Sequence, residues 1–233
     1  LIKEANMFIG HFGAGFAGKK FEKSASLGTY FMAAQWIDLI WPILLLLGIE
    51  KAEIKPGVTT VTPLDFTYYP FSHSLFGVIV WAVLFGMAYF VIKKKSRAAI
   101  ILALLVISHW VLDLIVHIPD LPIFPGYSLK VGFGLWNSFA ATIIFEGLIF
   151  TLGVYLYYKV TKPKNKIGTY SLIGLIVFLI AMYISNLVGP PPPSIEMIGI
   201  VGNAQWLIVL WGYWIDKNRE TIYLCYKYFS FTK

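Results

Sequence analysis

Four histidines, His11, His73, His109 and His117, lie within apolar stretches of the chain, and three acids, Asp38, Asp113 and Glu146, lie there with them. Imidazole and carboxylate groups buried together can hold a divalent ion, relay a proton or fix the register of two helices. An ionisable side chain inside hydrocarbon costs on the order of 3 kcal/mol on insertion scales, so each is a functional candidate. The densest run is Ser108-His109-Trp110-Val111-Leu112-Asp113-Leu114-Ile115-Val116-His117, a His-x3-Asp-x3-His pattern. At about 100° per residue, its three polar side chains share a helical stripe about 80° wide. Neighbours four apart can share one ion. The two outer histidines, about 12 Å apart along the axis, reach a single ion only with strain. The spacing therefore puts Asp113 at the centre, with His109 and His117 on either side, and suits two ions bridged by that carboxylate.

The expected metal ligands are His11, Asp38, His73, His109, Asp113 and His117. Imidazole and carboxylate without thiolate favour zinc, manganese or another divalent ion over copper(I) or an iron–sulfur cluster. Asp113 and Glu146 are the expected catalytic groups, Glu146 as a general base or else as a helix–helix hydrogen bond. Asp120 follows His117-Ile118-Pro119 closely enough to overhang the site, whereas Asp65 is expected to be solvated. The lone cysteine, Cys225, supports neither an internal disulfide nor a thiolate cage.

These residues need elements to carry them. Of the 233 residues, 58% are hydrophobic and 13% charged, far from the composition of a soluble domain, and the apolar residues form long runs. Runs of about 20 residues, enough to cross hydrocarbon, are read at 25–48, 71–92, 98–118, 131–158, 167–188 and 197–215. The predicted fold is an all-α membrane bundle of six spans in one domain, residues 1–215, followed by a cytoplasmic or interfacial tail, 216–233. The Gly-rich segment Met7–Gly18 is too short to span and is read as a partial-depth helix. The six residues before Met7 do not resemble a signal peptide. Pro190-Pro191-Pro192-Pro193 reads as a stiff external turn.

The net charge of +7 comes from Lys and Arg grouped at 19–23, 93–97, 159–166 and after Asp216. Such grouping marks cytoplasmic connections and gives no basic face for nucleic acid. The expected location is the inner (plasma) membrane, multi-pass, with a cytoplasmic C-terminus. Counted from the cation-rich ends at about 1.5 Å per residue, Asp38 lies about 20 Å up, Asp113 about 22 Å and His117 about 28 Å. His73 falls at a comparable height, while His11 at about 12 Å approaches His109 at about 16 Å. The candidates thus gather between mid-membrane and the outer surface.

Gly10-His11, Asp38-Leu39-Ile40-Trp41-Pro42, Phe71-Ser72-His73-Ser74 and His109-x3-Asp113 occur in that order. The order resembles the bacterial membrane-bound metal-dependent hydrolases over roughly the first half of the chain. That family has an early His, an Asp-x-Asp-His-Pro-like element, a His-Arg-x-x-(Ser/Thr)-His-Ser element and a later His-x3-Asp. The resemblance implicates His11, Asp38, His73, His109 and Asp113. Ile40 and Trp41 replace the family's second Asp and its His, and Tyr68 and Tyr69 stand in place of its His-Arg. The resemblance then implies a site reduced to one ion or rebuilt with His117 and Asp120. The chain is also similar to a more compact group of six-helix bacterial membrane proteins that share its Trp-Pro, Ser-His-Ser, Ser-His-Trp-x-Leu-Asp and Gly-Pro-Pro-Pro-Pro elements.

The first functional expectation is a metal-dependent hydrolase that takes an amphiphilic, lipid-like substrate sideways from the outer half of the bilayer. Lys130 is the one cation expected nearby, which weakens a phosphate version. Two other classes remain open. One is a non-enzymatic accessory subunit of a larger membrane complex, binding haem or pigment through its histidines. The other is a metal- or proton-coupled transporter, whose intramembrane acids would look alike in sequence.

Overall fold

Apolar segments in hydrocarbon must close their backbone hydrogen bonds internally, and the runs of this chain do so as helices. The computed structural model describes residues 9–126 and 129–222, and within them the chain is an all-α bundle with three two-stranded ribbons at its ends. Four helices are long and apolar enough to span a membrane unbroken: α5 (Leu75–Lys93), α6 (Ser96–Val116), α7 (Phe139–Val160) and α8 (Lys166–Val188). A fifth span is interrupted at Asn203 and Ala204, giving α9 (Ile195–Gly202) and α10 (Gln205–Lys217). The sixth is bent by 57° at Gln35 into α2 (Leu27–Ala34) and α3 (Trp36–Leu46). Large side chains such as Val91, Ile144, Leu148 and Leu207 are well exposed on these helices, as lipid-facing surfaces require.

Two predicted spans are therefore broken. The α2–α3 bend lies three residues before Asp38, and the break between α9 and α10 precedes Gln205, so both interruptions sit near polar side chains. Pro42 inside α3 has no N–H to give the Asp38 carbonyl. That oxygen instead accepts from the Gln205 side chain at 3.4 Å, joining the two breaks.

The helix α1 (Ile9–Phe21) spans about 20 Å and is buried among α2, α6 and α7. It begins two residues after the expected Met7, which lies outside the described residues, and runs three residues past Gly18. Its closest approach is to α7, where a Cβ on Gly13 would strike the backbone of Ile149 and Phe150, and one on Gly153 would strike Gly13. Small residues at this crossing let a short helix sink among long ones.

The expected span 131–158 starts late, because Lys130–Val131 forms strand β4 paired with β3 (Leu121–Pro122) and Gly134 takes a left-handed φ of 74°. A 3-10 turn, Leu135–Asn137, follows before Ser138 caps α7. The connection after α3 is a bulged hairpin of β1 (Lys51–Ile54) and β2 (Leu64–Tyr68), tied to the 3-10 turn where Thr60 Oγ1 donates to the Trp136 carbonyl at 2.8 Å. The short helix α4 (Pro70–His73) then ends where Ser74 turns extended and caps α5 through the Gly77 N–H.

The cation-rich connections converge at the opposite end. Arg97 donates to the Phe21 carbonyl, Lys23 to that of Ile222 and Lys164 to that of Lys217. The predicted tail is only partly a tail. After α10, strand β6 (Arg219–Thr221) pairs with β5 (Thr161–Pro163), and the buried Arg219 donates to the Gly168 carbonyl at 2.9 Å and to Thr161. Cys225 lies outside the described residues.

Candidate metal centre

Five of the expected residues meet at one place. His109 and Asp113 project from successive turns of α6, Asp38 comes from α3 just beyond the bend, His73 from the end of α4, and His11 from the first turn of α1. His109 Nε2 lies 3.3 Å from Asp113 Oδ2 and 3.6 Å from Asp38 Oδ1. His73 Nε2 lies 3.4 Å from Asp38 Oδ1 and 3.9 Å from Asp113 Oδ2. On the other side of the carboxylate, His11 Nε2 is 3.1 Å from Asp113 Oδ1, and its ring stacks on His109 with centroids 3.7 Å apart. Asp113 thus turns one oxygen to each side, with His11 in the place that the spacing gave to His117. All five are buried except Asp38, which is partly open.

Two groups offer ligand atoms that all lie within 4.8 Å of one another, His11, His109 and Asp113 in one, and Asp38, His73 and His109 in the other. Donors around a tetrahedral ion with bonds near 2.0–2.1 Å stand about 3.3 Å apart, and the four nitrogen and oxygen contacts among Asp38, His73, His109 and Asp113 run from that spacing up to 3.9 Å. His109 Nε2 and Asp113 Oδ2 are buried without a hydrogen-bond partner, although 3.3 Å apart. Buried polar atoms are rarely left so, and a cation between them satisfies both. The donor set fits a divalent ion.

Two of the histidines, His109 and His73, are held in the tautomer that a ligand needs. His109 Nδ1 donates to the Ala34 carbonyl at 2.8 Å, at the end of α2 where the bend interrupts the helical ladder, which leaves the lone pair on Nε2. His73 Nδ1 donates to Ser72 Oγ at 2.6 Å, and Ser72 donates in turn to Glu50 Oε2 at 2.6 Å. Glu50 Oε1 accepts the backbone N–H groups of Phe71 and Ser72, and the residue is buried. Sequence reasoning missed Glu50. It stands among Lys51, Glu53 and Lys55 in a connection that reads as solvated, and only the Ser72-His73 pair gave any hint of a polar relay.

Second-sphere carboxylates of this kind tune metal affinity by about 10- to 100-fold when changed. Glu50→Gln, which keeps the volume and loses the charge, is expected to weaken metal retention by a factor in that range without unfolding the protein. Competition against a calibrated chelator would measure it, and an unchanged affinity would show that the relay does not reach the ligands.

His117 does not join the other five. Helix α6 ends at Val116 and His117 is extended, with φ −63° and ψ 146°, so the expected stripe stops at Asp113. Its Nδ1 lies 2.9 Å from Asp120 Oδ1, which also accepts from the Tyr69 hydroxyl at 3.1 Å. The His117 ring packs on Trp136, centroids 4.1 Å apart, and borders a cavity of about 20 Å³ walled also by Asp38, Trp41, Phe66, His73 and Asp113. That volume holds about one water. Asp120 does overhang the site as its position in the sequence suggested, through His117. Glu146 is buried in α7 but belongs to neither ligand group and to neither wall of this cavity. Asp65 pairs with Lys55 at 3.0 Å on the hairpin, away from the centre.

No protein-family model, curated protein or solved structure was found to match the chain.

Proposed function

We propose that the chain is an integral membrane metal-dependent hydrolase, a divergent relative of the bacterial membrane-bound metal-dependent hydrolases. The observation that carries this reading is the set of Asp38, His73, His109 and Asp113 contacts at 3.3–3.9 Å around unpartnered buried atoms, beside a water-sized cavity. Asp38, His73, His109 and Asp113, with His11 on the second carboxylate oxygen, hold zinc or manganese. Bound there, a divalent ion supplies Lewis acidity and lowers the pKa of water toward neutrality.

The remaining work falls to the chain's own groups. Asp120 and Tyr69 fix His117 with Nδ1 occupied, leaving Nε2 to take a proton from water in the small cavity. Phe66, Trp41 and Trp136 line that cavity and restrict it to a single water-sized guest. Glu146, set apart from both ligand groups, is assigned a structural hydrogen-bonding role. The histidine Nε2 atoms each face a carboxylate at 3.1–3.9 Å, which favours metal ligation over axial binding of haem. With the cation-rich connections gathered at one end, the positive-inside rule puts that end, and the C-terminus, in the cytoplasm of a plasma-membrane protein.

Elemental analysis and a visible spectrum of the detergent-purified chain test the reading, together with product analysis of a lipid extract incubated with it. One or two equivalents of zinc or manganese and chelator-sensitive release of a hydrolysis product are expected. A metal-free protein, a Soret band, or ion flux in vesicles without hydrolysis overturns it.

A further inference from the structure

A larger cavity, about 700 Å³, lies between α3, α8, α9 and α10 and ends at Asp38. Hydrophobic side chains of α3, α8 and α10, among them Trp41, Phe178 and Trp211, dominate its wall, and the four consecutive prolines border it. It reaches the lipid-facing surface, because the wall residues Leu207 and Val201 are 66% and 53% exposed. A continuous helix would lack the turn at Asn203 and Ala204 that brings Gln205 to the Asp38 carbonyl.

Charge and volume narrow the occupant. Among the described residues, no Lys or Arg lines the chamber and Asp38 is its one ionisable group. Apart from an ion held at Asp38, the wall offers an anionic head no cation. Trp41 Nε1, Trp211 Nε1 and Gln205 Oε1 belong to wall residues and have no hydrogen-bond partner, but the atoms themselves are buried behind the chamber surface. Trp41 is only 5% exposed. At about 30 Å³ for each water-sized group, a chain of roughly sixteen carbons needs about 480 Å³. One such chain with a small head fits the chamber.

We propose that this chamber binds a single-chain fatty acyl ester or amide with an uncharged head, entering from the bilayer and placing its carbonyl end toward Asp38. The assignment deepens the hydrolase reading and rests on it for the fate of the acyl bond. The binding itself follows from the chamber alone.

The test uses the full chain as purified in detergent, with metal content determined on the same sample. Oleoyl ethanolamide is the probe, because it is uncharged, single-chained and slow to hydrolyse. Oleoyl lysophosphatidic acid and dioleoyl phosphatidylcholine are the competitors. Native mass spectrometry and equilibrium gel filtration are expected to show one amide retained per chain, at least ten-fold tighter than either competitor. Met182→Trp, which fills the chamber from α8, is expected to weaken retention ten-fold or more, and Gln205→Leu about five-fold, with the thermal midpoint of at least one variant unchanged. Equal retention of the three lipids, or undiminished binding in a folded Met182→Trp protein, overturns the assignment. Stoichiometric metal without amide binding overturns the chamber alone. Amide binding to a metal-free protein overturns the hydrolase reading and supports the chamber.

Discussion

Asp113→Asn is expected to empty the metal centre while leaving the bundle folded. The substitution keeps the size and shape of the side chain and removes the one carboxylate that faces both halves of the site, Oδ1 toward His11 at 3.1 Å and Oδ2 toward His109 at 3.3 Å. Losing a ligand costs more than losing a second-sphere partner, which itself costs about 10- to 100-fold. Metal content should therefore fall below about a tenth of the wild-type value after gel filtration, and turnover with it. His117→Ala is the informative contrast. It leaves all five ligand side chains in place and removes only the imidazole that Asp120 orients, so metal is retained while turnover falls by about 10²- to 10⁴-fold. Parallel metal analysis and activity assay separate the two variants. Metal bound as tightly in Asp113→Asn as in wild type would remove the central ligand from the proposal, and loss of metal in His117→Ala would return His117 to the ligand set.

The spacing on α6 was legible because helical periodicity is rigid. His109 and Asp113, four apart, had to share a face, and they do. The same reasoning failed one turn later, where the extended backbone at His117 follows Val116 and precedes Pro119, and no periodicity argument survives the end of a helix. Depth counting brought Asp38, His73 and Asp113 to one level because the rise per residue is fixed within a helix. It could not foresee the bend at Gln35, which exposes the Ala34 carbonyl to His109. Nor did it anticipate the β1–β2 hairpin, whose short strands mix exposed and buried positions without a clean alternation. Glu50 was invisible for a different reason. Its partners, Ser72 and the N–H groups of Phe71 and Ser72, are more than twenty residues away, and nothing local distinguishes it from the charged residues that follow.

Lys19 shows how far a cation's sequence context can mislead, and it supports the largest stability prediction. It belongs to a Lys-Lys pair that reads as solvated cytoplasmic charge, yet it is 3% exposed, while Lys20 beside it is open. Its ammonium donates to Asp216 Oδ2 at 2.7 Å and to the Ala25 carbonyl at 2.8 Å. The other Asp216 oxygen accepts from Tyr157 at 3.1 Å. One pair, its lysine buried and its carboxylate partly open, therefore joins α1, α7, α10 and the start of the α2 segment, closing the cation-rich end around the short central helix. Removing one partner of a buried ion pair costs about 3–5 kcal/mol, because the other charge stays desolvated and unpaired. Lys19→Met keeps the aliphatic stem and is expected to lower the thermal midpoint in detergent by on the order of 10 °C. Lys20 and Lys23 remain to orient the segment, so membrane topology is expected to hold. Adding Asp216→Leu removes the stranded carboxylate, and the double variant is expected to recover most of the loss, since an apolar pair can replace a buried ionic one at little net cost. A single variant as stable as wild type, or a double variant no better than the single, would show that the pair does not hold this end of the bundle together.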